Sequence, residues 1–449
     1  MPNVFGTDGI RGKAGDWPVS FDGCAQVAGA IVSSGALGDI KRVFIGKDTR
    51  VSCSALEQGL IAGFSSFQIE ITSGGVLPTP AVSFITKDMG FDCGISITAS
   101  HNLYQDNGIK IFNRDGKKLS QEQTTLISRK IGSKHSGPLG GNFAQDKVCS
   151  DSKLTVETYY QAYKNALLRG FHSGFSLDRV SVAIDCANGA NSEIAPRLFE
   201  ELGAKVTITG CKPDGKNINL KVGATCPESI VNLTLSAKSD VGIAFDGDGD
   251  RLIMCDEAGK VIDGDAVVAT LAIDMLKKGI LKGNSVVVTL MSNMGLEVFL
   301  SQNGVTVYRS DVGDSSVARM MLDKGSILGG EQSGHIIIGD KISTGDGILS
   351  ALHMLSIMID NKTAASRAFH LFKPYPQLLK NFPVESSILK NQHVKSELAK
   401  IIDKAASVGC RMLVRPSGTE PLIRVMVEGQ DTVFLQDTMA ALSDCLIVT

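Results

Sequence analysis

The chain has 449 residues, 43% hydrophobic and 20% charged, with a formal net charge of −2. At ~150 residues per domain that length suggests about three domains, and the near-neutral balance leaves no electrostatic footprint for nucleic acid. Ten cysteines without CxxC or zinc-finger spacing read as reduced thiols, which excludes a disulfide scaffold. The start, MPNVFGTDGIRG, lacks the basic and apolar stretches of a signal peptide. The most apolar helical stretch, GDAVVATLAIDML, carries Asp265 and Asp274 and is too short and too charged to span a bilayer. The expectation is a cytoplasmic protein without nucleic-acid or membrane partners.

In chain order, KRVFIGKDTR (41–50) reads as a buried strand ending in a polar loop. The helix-like SALEQGLIAGFSSF, the strand IEIT and the helix-like AVSFITKDMG follow. The strand CGISIT then ends in the loop 98–102. The same order recurs in VSVAIDCANGAN, SEIAPRLFEELG, AKVTITG, PESIVNLTLSAKS and VGIAF, which ends in DGDGDR (246–251). A third copy runs SVVVTLMSNMG, LEVFLSQNG, VTVYRS, SVARMMLDKG and SILGGEQSGH, ending near Glu331. Strands alternating with helices predict α/β units with largely parallel, two-sidedly covered sheets. Sites in such sheets form at the carboxyl ends of strands, and the three oddest loops sit there.

The tail differs. FKPYPQLLKNFPVE (372–385) reads as a linker, and a helix, two strands flanking SGTEP and a last helix predict a small α+β domain. Residues 113–150 read as an exposed excursion. The fold class is therefore α/β: three similar mixed-sheet domains plus a smaller C-terminal α+β domain, around a central cleft. The expected bounds are 1–152, 153–255, 256–370 and 371–449.

Chemistry concentrates in the loops. In DGDGDR, Asp246, Asp248 and Asp250 alternate with glycines that let the backbone turn and the carboxylates converge. Such hard oxygen ligands suit Mg²⁺. An EF-hand would place the same aspartates at its positions 1, 3 and 5, but it needs glycine where Arg251 stands. A solvated acidic turn is the bland alternative, and Arg251 speaks for a site that also meets an anion.

The stretch GISITASHNLYQDNGIK (94–110) ends a strand in Ser100 and His101. An ordinary polar turn is one reading. The other is that Ser100 carries a phosphoryl group, which needs a metal and cations such as Lys110 and Arg11. In VRPSGTEPLIRV (414–425), Arg415, the Ser417-Gly418-Thr419 loop and Arg424 form a phosphate cradle or an incidental hairpin. In GEQSGH (330–335), Glu331 and Ser333 suit sugar hydroxyls and His335 suits proton transfer near neutral pH.

FGTDGIRG, TASHN…DNGIK, DGDGDR, GEQSGH and RPSGTEPLIR, in this order across the whole chain, resemble the α-D-phosphohexomutase superfamily and within it the phosphoglucosamine mutase family. The Gln of GEQSGH resembles that branch, since the phosphomannomutase/phosphoglucomutase branch usually has Met there. The resemblance implies four domains around a cleft, with Ser100 as phosphoserine and Mg²⁺ held by Ser100, Asp246, Asp248 and Asp250. It implies Lys110 and His335 as the acid/base pair, with Arg11, His101 and Arg251 supporting the phosphoryl group. Glu331 and Ser333 would read the sugar, and Arg415, Ser417, Gly418, Thr419 and Arg424 would hold the non-reacting phosphate.

The implied reaction converts glucosamine 6-phosphate to glucosamine 1-phosphate through a bisphosphate intermediate, feeding cell-wall amino-sugar precursors (the route to UDP-N-acetylglucosamine). Two departures stand out. Leu103 replaces the usual Pro, and VGDSS (312–316) stands where the family's sugar-choosing loop often reads VGDRY.

Three rivals follow. A glucose or mannose phosphate mutase would use the same chemistry and differ in turnover. A magnesium-dependent phosphatase with an Asp nucleophile would keep hydrolysis in Ser100→Ala. A non-catalytic sugar-phosphate binder would leave the serine, metal loop and acid/base candidates without a task. The sequence does not fix the oligomeric state, and a homodimer is compatible with it.

Overall fold

A computed structural model describes residues 4–6, 8–131, 155–416 and 421–447. The chain divides into two compact units, residues 1–292 with 303–371 and residues 293–302 with 372–449.

The first unit carries three sheets. β1 (Ile10–Lys13), β2 (Arg42–Lys47), β3 (Glu70–Val76), β4 (Cys93–Ile97) and β5 (Asp106–Asn113) form one, in the order β1-β5-β4-β2-β3. β6 (Ser181–Asp185), β7 (Lys205–Thr209), β8 (Val241–Phe245), β9 (Leu252–Asp256) and β10 (Val261–Ile262) form the second, ordered β10-β9-β8-β6-β7. β11 (Ser285–Thr289), β12 (Thr306–Ser310), β13 (Leu328–Gly330) and β14 (Ile336–Ile338) form the third, ordered β12-β11-β13-β14.

The three sheets share one plan. The first long strand of each copy (β2, β6, β11) pairs parallel with the second and third. A fourth strand (β5, β9, β14) then returns antiparallel to the third. β8 and β11 are buried along their whole length, as strands covered on both faces must be. The repeat read from the sequence is thus present as mixed sheets. The antiparallel return explains why each odd loop is followed by another strand, "LIMCD" being β9. It also disposes of the EF-hand, whose loop lies between helices.

Two expectations are corrected. Residues 113–150 are not wholly an excursion: Gln121–Lys130 is a helix, closed by a Ser120–Gln123 capping box and anchored by buried Ile127. Residues 132–154 lie outside the described part. The linker reading of 372–385 also fails in part, because Gln377–Phe382 forms β15.

A helix at Val156–Leu167 braces the first unit. Its Tyr159 ring packs edge-on to Phe44 at 5.1 Å, and its Tyr163 hydroxyl donates to Asp346 at 2.8 Å. Tyr160 donates to Glu201, also at 2.8 Å. One helix therefore touches residues of all three sheet-bearing regions.

In the second unit, β15, β16 (Arg411–Pro416) and β17 (Ile423–Glu428) form an antiparallel sheet ordered β15-β17-β16. Helices Gln392–Ser407 and Thr432–Ile447 accompany it, and Val394, Leu398, Leu435 and Leu442 share its core with Ile423 and Val425. Fully buried Glu428 accepts from Arg411 Nη2 at 2.6 Å, from Gln377 Nε2 at 2.8 Å and from the Met294 N–H at 2.8 Å. Among the described residues, no helix is long and apolar enough to cross a membrane.

Candidate active site

The three odd loops occupy one topological position, the hairpin between the third strand and its antiparallel return. The first, between β4 and β5, carries Ser100. This residue is 1% exposed and has φ +53°, a left-handed conformation unusual for a residue other than glycine. A strained backbone persists where its surroundings over-determine it. Here the Ser100 N–H donates to Thr98 Oγ1 at 2.8 Å, while its carbonyl accepts from Arg50 Nη2 at 3.0 Å and Asn219 Nδ2 at 2.8 Å. Leu103, in the place of the family proline, offers its carbonyl to Arg50 Nη1 at 2.5 Å. The turn is thus held by the Arg50 guanidinium.

The second loop, between β8 and β9, carries the aspartates. The loop can reach Ser100 because a Cβ on Gly247 would stand 2.6 Å from the Ser100 carbonyl oxygen. Gly249 has φ +73°, and a Cβ there would meet Asn191 Nδ2 at 2.5 Å. Ser100 Oγ donates to Asp246 Oδ2 at 2.6 Å.

Asp246, Asp248 and Asp250 are at most 2% exposed, and a ligand oxygen from each lies within 4.8 Å of the others. Burial, with Asp250 and Asp248 adding to it, pushes the Asp246 carboxyl up to about 7. Asp248 Oδ1 and Asp250 Oδ1 are buried without a hydrogen-bond partner. Three converging carboxylates, with Asp248 Oδ1 open, fit a hard divalent cation such as Mg²⁺.

Lys110, on β5, points into the same cluster. Its Nζ lies 2.7 Å from Asp250 Oδ2, 2.8 Å from Asp248 Oδ2 and 3.0 Å from Asp8 Oδ2. Burial works against the charge, but Asp248, Asp250 and Asp8 outweigh it and hold the ammonium well above the usual lysine range. Arg11 Nη2 donates to Asp8 Oδ2 at 2.9 Å. Arg251 Nε lies 3.9 Å from Asp246 Oδ2. Nε of Arg11 and Nε of Arg251 are buried without hydrogen-bond partners, leaving donors that an anion can use. His101 Nδ1 is 3.5 Å from Ser100 Oγ. Burial, then Arg251 and Arg11, pull its imidazole down to about 4, so it is neutral near pH 7.

The third loop, between β13 and β14, brings His335. Its Nδ1 lies 3.5 Å from Asp250 Oδ1, and its Nε2 accepts from the Gly345 N–H at 3.1 Å. Burial opposes its charge, but Asp250 leads the groups that raise it above the usual histidine range. Glu331 Oε1 accepts from the Gly313 N–H at 3.0 Å, which ties the loop to VGDSS, and Ser333 is exposed. The first unit thus gathers Ser100, His101, Lys110, Arg11, Asp246, Asp248, Asp250, Arg251 and His335.

The remaining expected residues lie in the second unit. Arg415 and Arg424 are opposite partners on β16 and β17. Ser417, Gly418 and Thr419 lie outside the described residues.

Several participants had no local signature in the sequence. Asp8 and Asp314 share the ammonium of Lys118. Arg50, Asn219 and Thr79 also make direct contacts to the Ser100 or Asp loops. Their functional signal is a contact between distant segments.

Comparison with known proteins bears on this arrangement. The family described as phosphoglucomutase/phosphomannomutase matches in four parts. Its α/β/α domains I, II and III cover residues 2–137, 158–259 and 263–375, and its C-terminal domain covers 379–444. The chain is 38% identical over 445 residues to a phosphoglucosamine mutase of Sulfurovum sp. (strain NBC37-1), covering 97% of each chain. Its fold is similar to a phosphoglucomutase/phosphomannomutase family protein from Burkholderia thailandensis, with TM-score 0.77, 21% identity and coverage of 99% of this chain and 97% of that one. It is also similar in fold to the Aspergillus fumigatus N-acetylphosphoglucosamine mutase solved with GlcNAc-6P and magnesium. There the TM-score is 0.64 at 16% identity, over 98% of this chain and 95% of that one.

Proposed function

This chain belongs to the phosphoglucosamine mutase family of the phosphohexomutases, and on that premise we propose that it interconverts glucosamine 6-phosphate and glucosamine 1-phosphate through a phosphorylated Ser100. The enzyme class, an isomerase that moves a phosphoryl group within one sugar, follows from the family. The residue roles, Mg²⁺ and the bisphosphate intermediate are part of this proposal. The observation that carries it is Ser100 Oγ at 2.6 Å from Asp246 Oδ2, with Lys110 on the neighbouring Asp248 and Asp250.

In this reading the bond between phosphorus and Ser100 Oγ breaks as a bond from phosphorus to the free sugar hydroxyl forms. Within the acid/base pair, His335 in its neutral form takes the hydroxyl's proton, while Lys110, held as an ammonium by its carboxylate partners, is the acid that supplies a proton to the departing Ser100 Oγ. The bisphosphorylated sugar turns around, and its other phosphoryl group returns to Ser100 Oγ while the sugar oxygen it leaves takes a proton back. Arg11, Arg251 and His101 steady the moving group, Glu331 and Ser333 read the sugar, and Arg415, Ser417, Gly418, Thr419 and Arg424 hold the other phosphate.

Ser100, Asp246, Asp248 and Asp250 would hold Mg²⁺, which would neutralise charge on the transferring group. The magnesium in the Aspergillus fumigatus complex supports that choice. We keep 1–152, 153–255, 256–370 and 371–449 as proposed bounds of the phosphoserine, metal, sugar and phosphate domains. Cytoplasmic residence, a homodimer and supply of cell-wall amino-sugar precursors belong to the same proposal, and light scattering checks the dimer.

The deciding experiment is phosphorus NMR with Mg²⁺ and a bisphosphate primer, glucosamine 6-phosphate and glucose 6-phosphate competing in one tube. Faster appearance of glucosamine 1-phosphate, lost in Ser100→Ala, is the expected result. Preference for glucose phosphate moves the enzyme to the phosphomannomutase/phosphoglucomutase branch. Free phosphate from both proteins, without a 1-phosphate, overturns the serine mechanism.

A further inference from the structure

Thr79 begins the helix Thr79–Asp88 and is fully buried. It is 169 residues from Asp248 in sequence, yet holds it at two points. The Thr79 N–H donates to the Asp248 carbonyl at 2.9 Å, and Thr79 Oγ1 donates to Asp248 Oδ2 at 2.6 Å. Thr79 Oγ1 also lies 2.9 Å from Ser96 Oγ, and Ser96 is 1% exposed.

A hydroxyl has one proton to give, and an ionised carboxylate can only accept. The Thr79 proton therefore goes to Asp248, and the Ser96 hydroxyl supplies its own to Thr79. The result is a directed chain, Ser96 to Thr79 to Asp248. Ser96 on β4 is the register partner of Lys110 on β5, and Lys110 Nζ donates to the same Oδ2 at 2.8 Å. Two donors thus occupy Oδ2, while Oδ1 is buried and has no hydrogen-bond partner.

We propose that Thr79, aligned by Ser96, is a positioning residue for the cation: it fixes the Asp248 carboxylate so that Oδ1 stays open as a ligand. This rests on the reading of the Asp loop as a divalent-metal site. A partner that orients a ligating carboxylate tunes affinity by roughly 10–100-fold. Without the Thr79 hydroxyl, the carboxylate loses the hydrogen bond that fixes its rotation. Ligation must then pay the entropy of ordering it.

The test is Mn²⁺ binding to the full-length metal-free protein, followed by electron paramagnetic resonance of the free ion. Wild type is compared with Thr79→Val, Thr79→Ser, Ser96→Ala and Asp248→Asn, with melting curves as a check on folding. The expected result is a Kd raised about tenfold in Thr79→Val and severalfold in Ser96→Ala, with Thr79→Ser within about threefold of wild type. Ser96→Ala keeps the test decisive if Thr79→Val fails to fold. Loss of binding in Asp248→Asn, with Thr79→Val and Ser96→Ala binding like wild type, overturns the positioning role alone. Wild type that binds no Mn²⁺, or Asp248→Asn that binds it unchanged, overturns the metal reading and this inference with it.

Discussion

Arg50 Nη2 donates to the carbonyl oxygen of Ser100 at 3.0 Å. The same guanidinium reaches the carbonyls of Asn102 at 2.8 Å, Leu103 at 2.5 Å and Asp106 at 3.0 Å. Its Nε pairs with Asp48 Oδ2 at 2.8 Å, and neither side chain of that pair is exposed. One buried cation thus fastens four carbonyls around the turn that carries Ser100, the proposed phosphoserine. Asp48 Oδ2 in turn accepts from Thr98 Oγ1 at 2.7 Å, so the strand end and the loop share one anchor.

Arg50→Lys keeps the charge and loses the fork. A lysine has three donors on a compact head and cannot span four carbonyls and a carboxylate. Breaking a buried ion pair costs about 3–5 kcal/mol when a partner is lost outright, so about 2 kcal/mol of destabilisation is expected here. Displacing the serine by about 1 Å lowers kcat by about 100-fold. Urea unfolding and mutase turnover measure the two effects. Full turnover in Arg50→Lys would show that the loop keeps its shape without the fork.

Gly345 sets the position of His335. A Cβ on Gly345 would stand 2.6 Å from the imidazole Nε2 and Cε1 and 2.7 Å from the Asp250 carbonyl oxygen. Gly345→Ala must therefore displace the ring from its present position. Overpacking costs about 1–3 kcal/mol. If His335 carries a proton as proposed, the expected loss of kcat is larger than that destabilisation alone would produce, about tenfold or more, because the displaced imidazole misses its geometry. Turnover at a temperature well below the melting point separates the two, and an unchanged kcat would remove His335 from the chemistry.

The repeat was legible because each copy writes the same order of apolar strands and amphipathic helices, and because DGDGDR and TASHN interrupt apolar runs with clustered polar groups. The helix Gln121–Lys130 was missed because a single buried residue, Ile127, holds its apolar face. β15 was missed because prolines flank it and its middle residues, Leu379 to Asn381, are exposed, as an edge strand permits. Arg50 and Thr79 were invisible for another reason. Each looks like ordinary loop or helix-start chemistry beside its neighbours. Their partners lie 50 to 56 residues away for the Arg50 carbonyl contacts and 169 away for Thr79. No local pattern reports such contacts.

Lys118 joins segments far apart in the chain by ion pairs to Asp8 and Asp314. Burial opposes its charge, and Asp314 and Asp8 outweigh that and raise it above the usual lysine range. Asp314 is itself 3.6 Å from His335 Nε2. Lys118→Met leaves two carboxylates facing each other with their shared cation gone. A loss of about 2 kcal/mol is expected, reduced from the fully buried case because the side chain is 19% exposed. Lys118→Arg should recover more than half of it. Urea unfolding of the three proteins decides; equal midpoints would make this ion pair energetically silent.

His353 gives the stability a pH dependence of known sign. Its ring packs 4.7 Å from Phe171, and its Nε2 is buried without a hydrogen-bond partner. Burial, then the cations Lys341 and Lys278, pull the imidazole down to about 4. An unfolded histidine titrates near 6.5, so between about 6.5 and about 4 the unfolded chain binds a proton that the folded chain does not. Stability therefore falls as pH drops through that window, and above it the residue contributes no slope. The full shift corresponds to roughly 3 kcal/mol, and discounting for the part of the ring that meets solvent leaves about 2 kcal/mol. His353→Phe keeps the packing and removes the titration. Its melting temperature should match wild type near pH 7.5 and rise progressively above it as the pH is lowered toward 4. Parallel curves across that range would show that the imidazole titrates alike in the folded and unfolded chains.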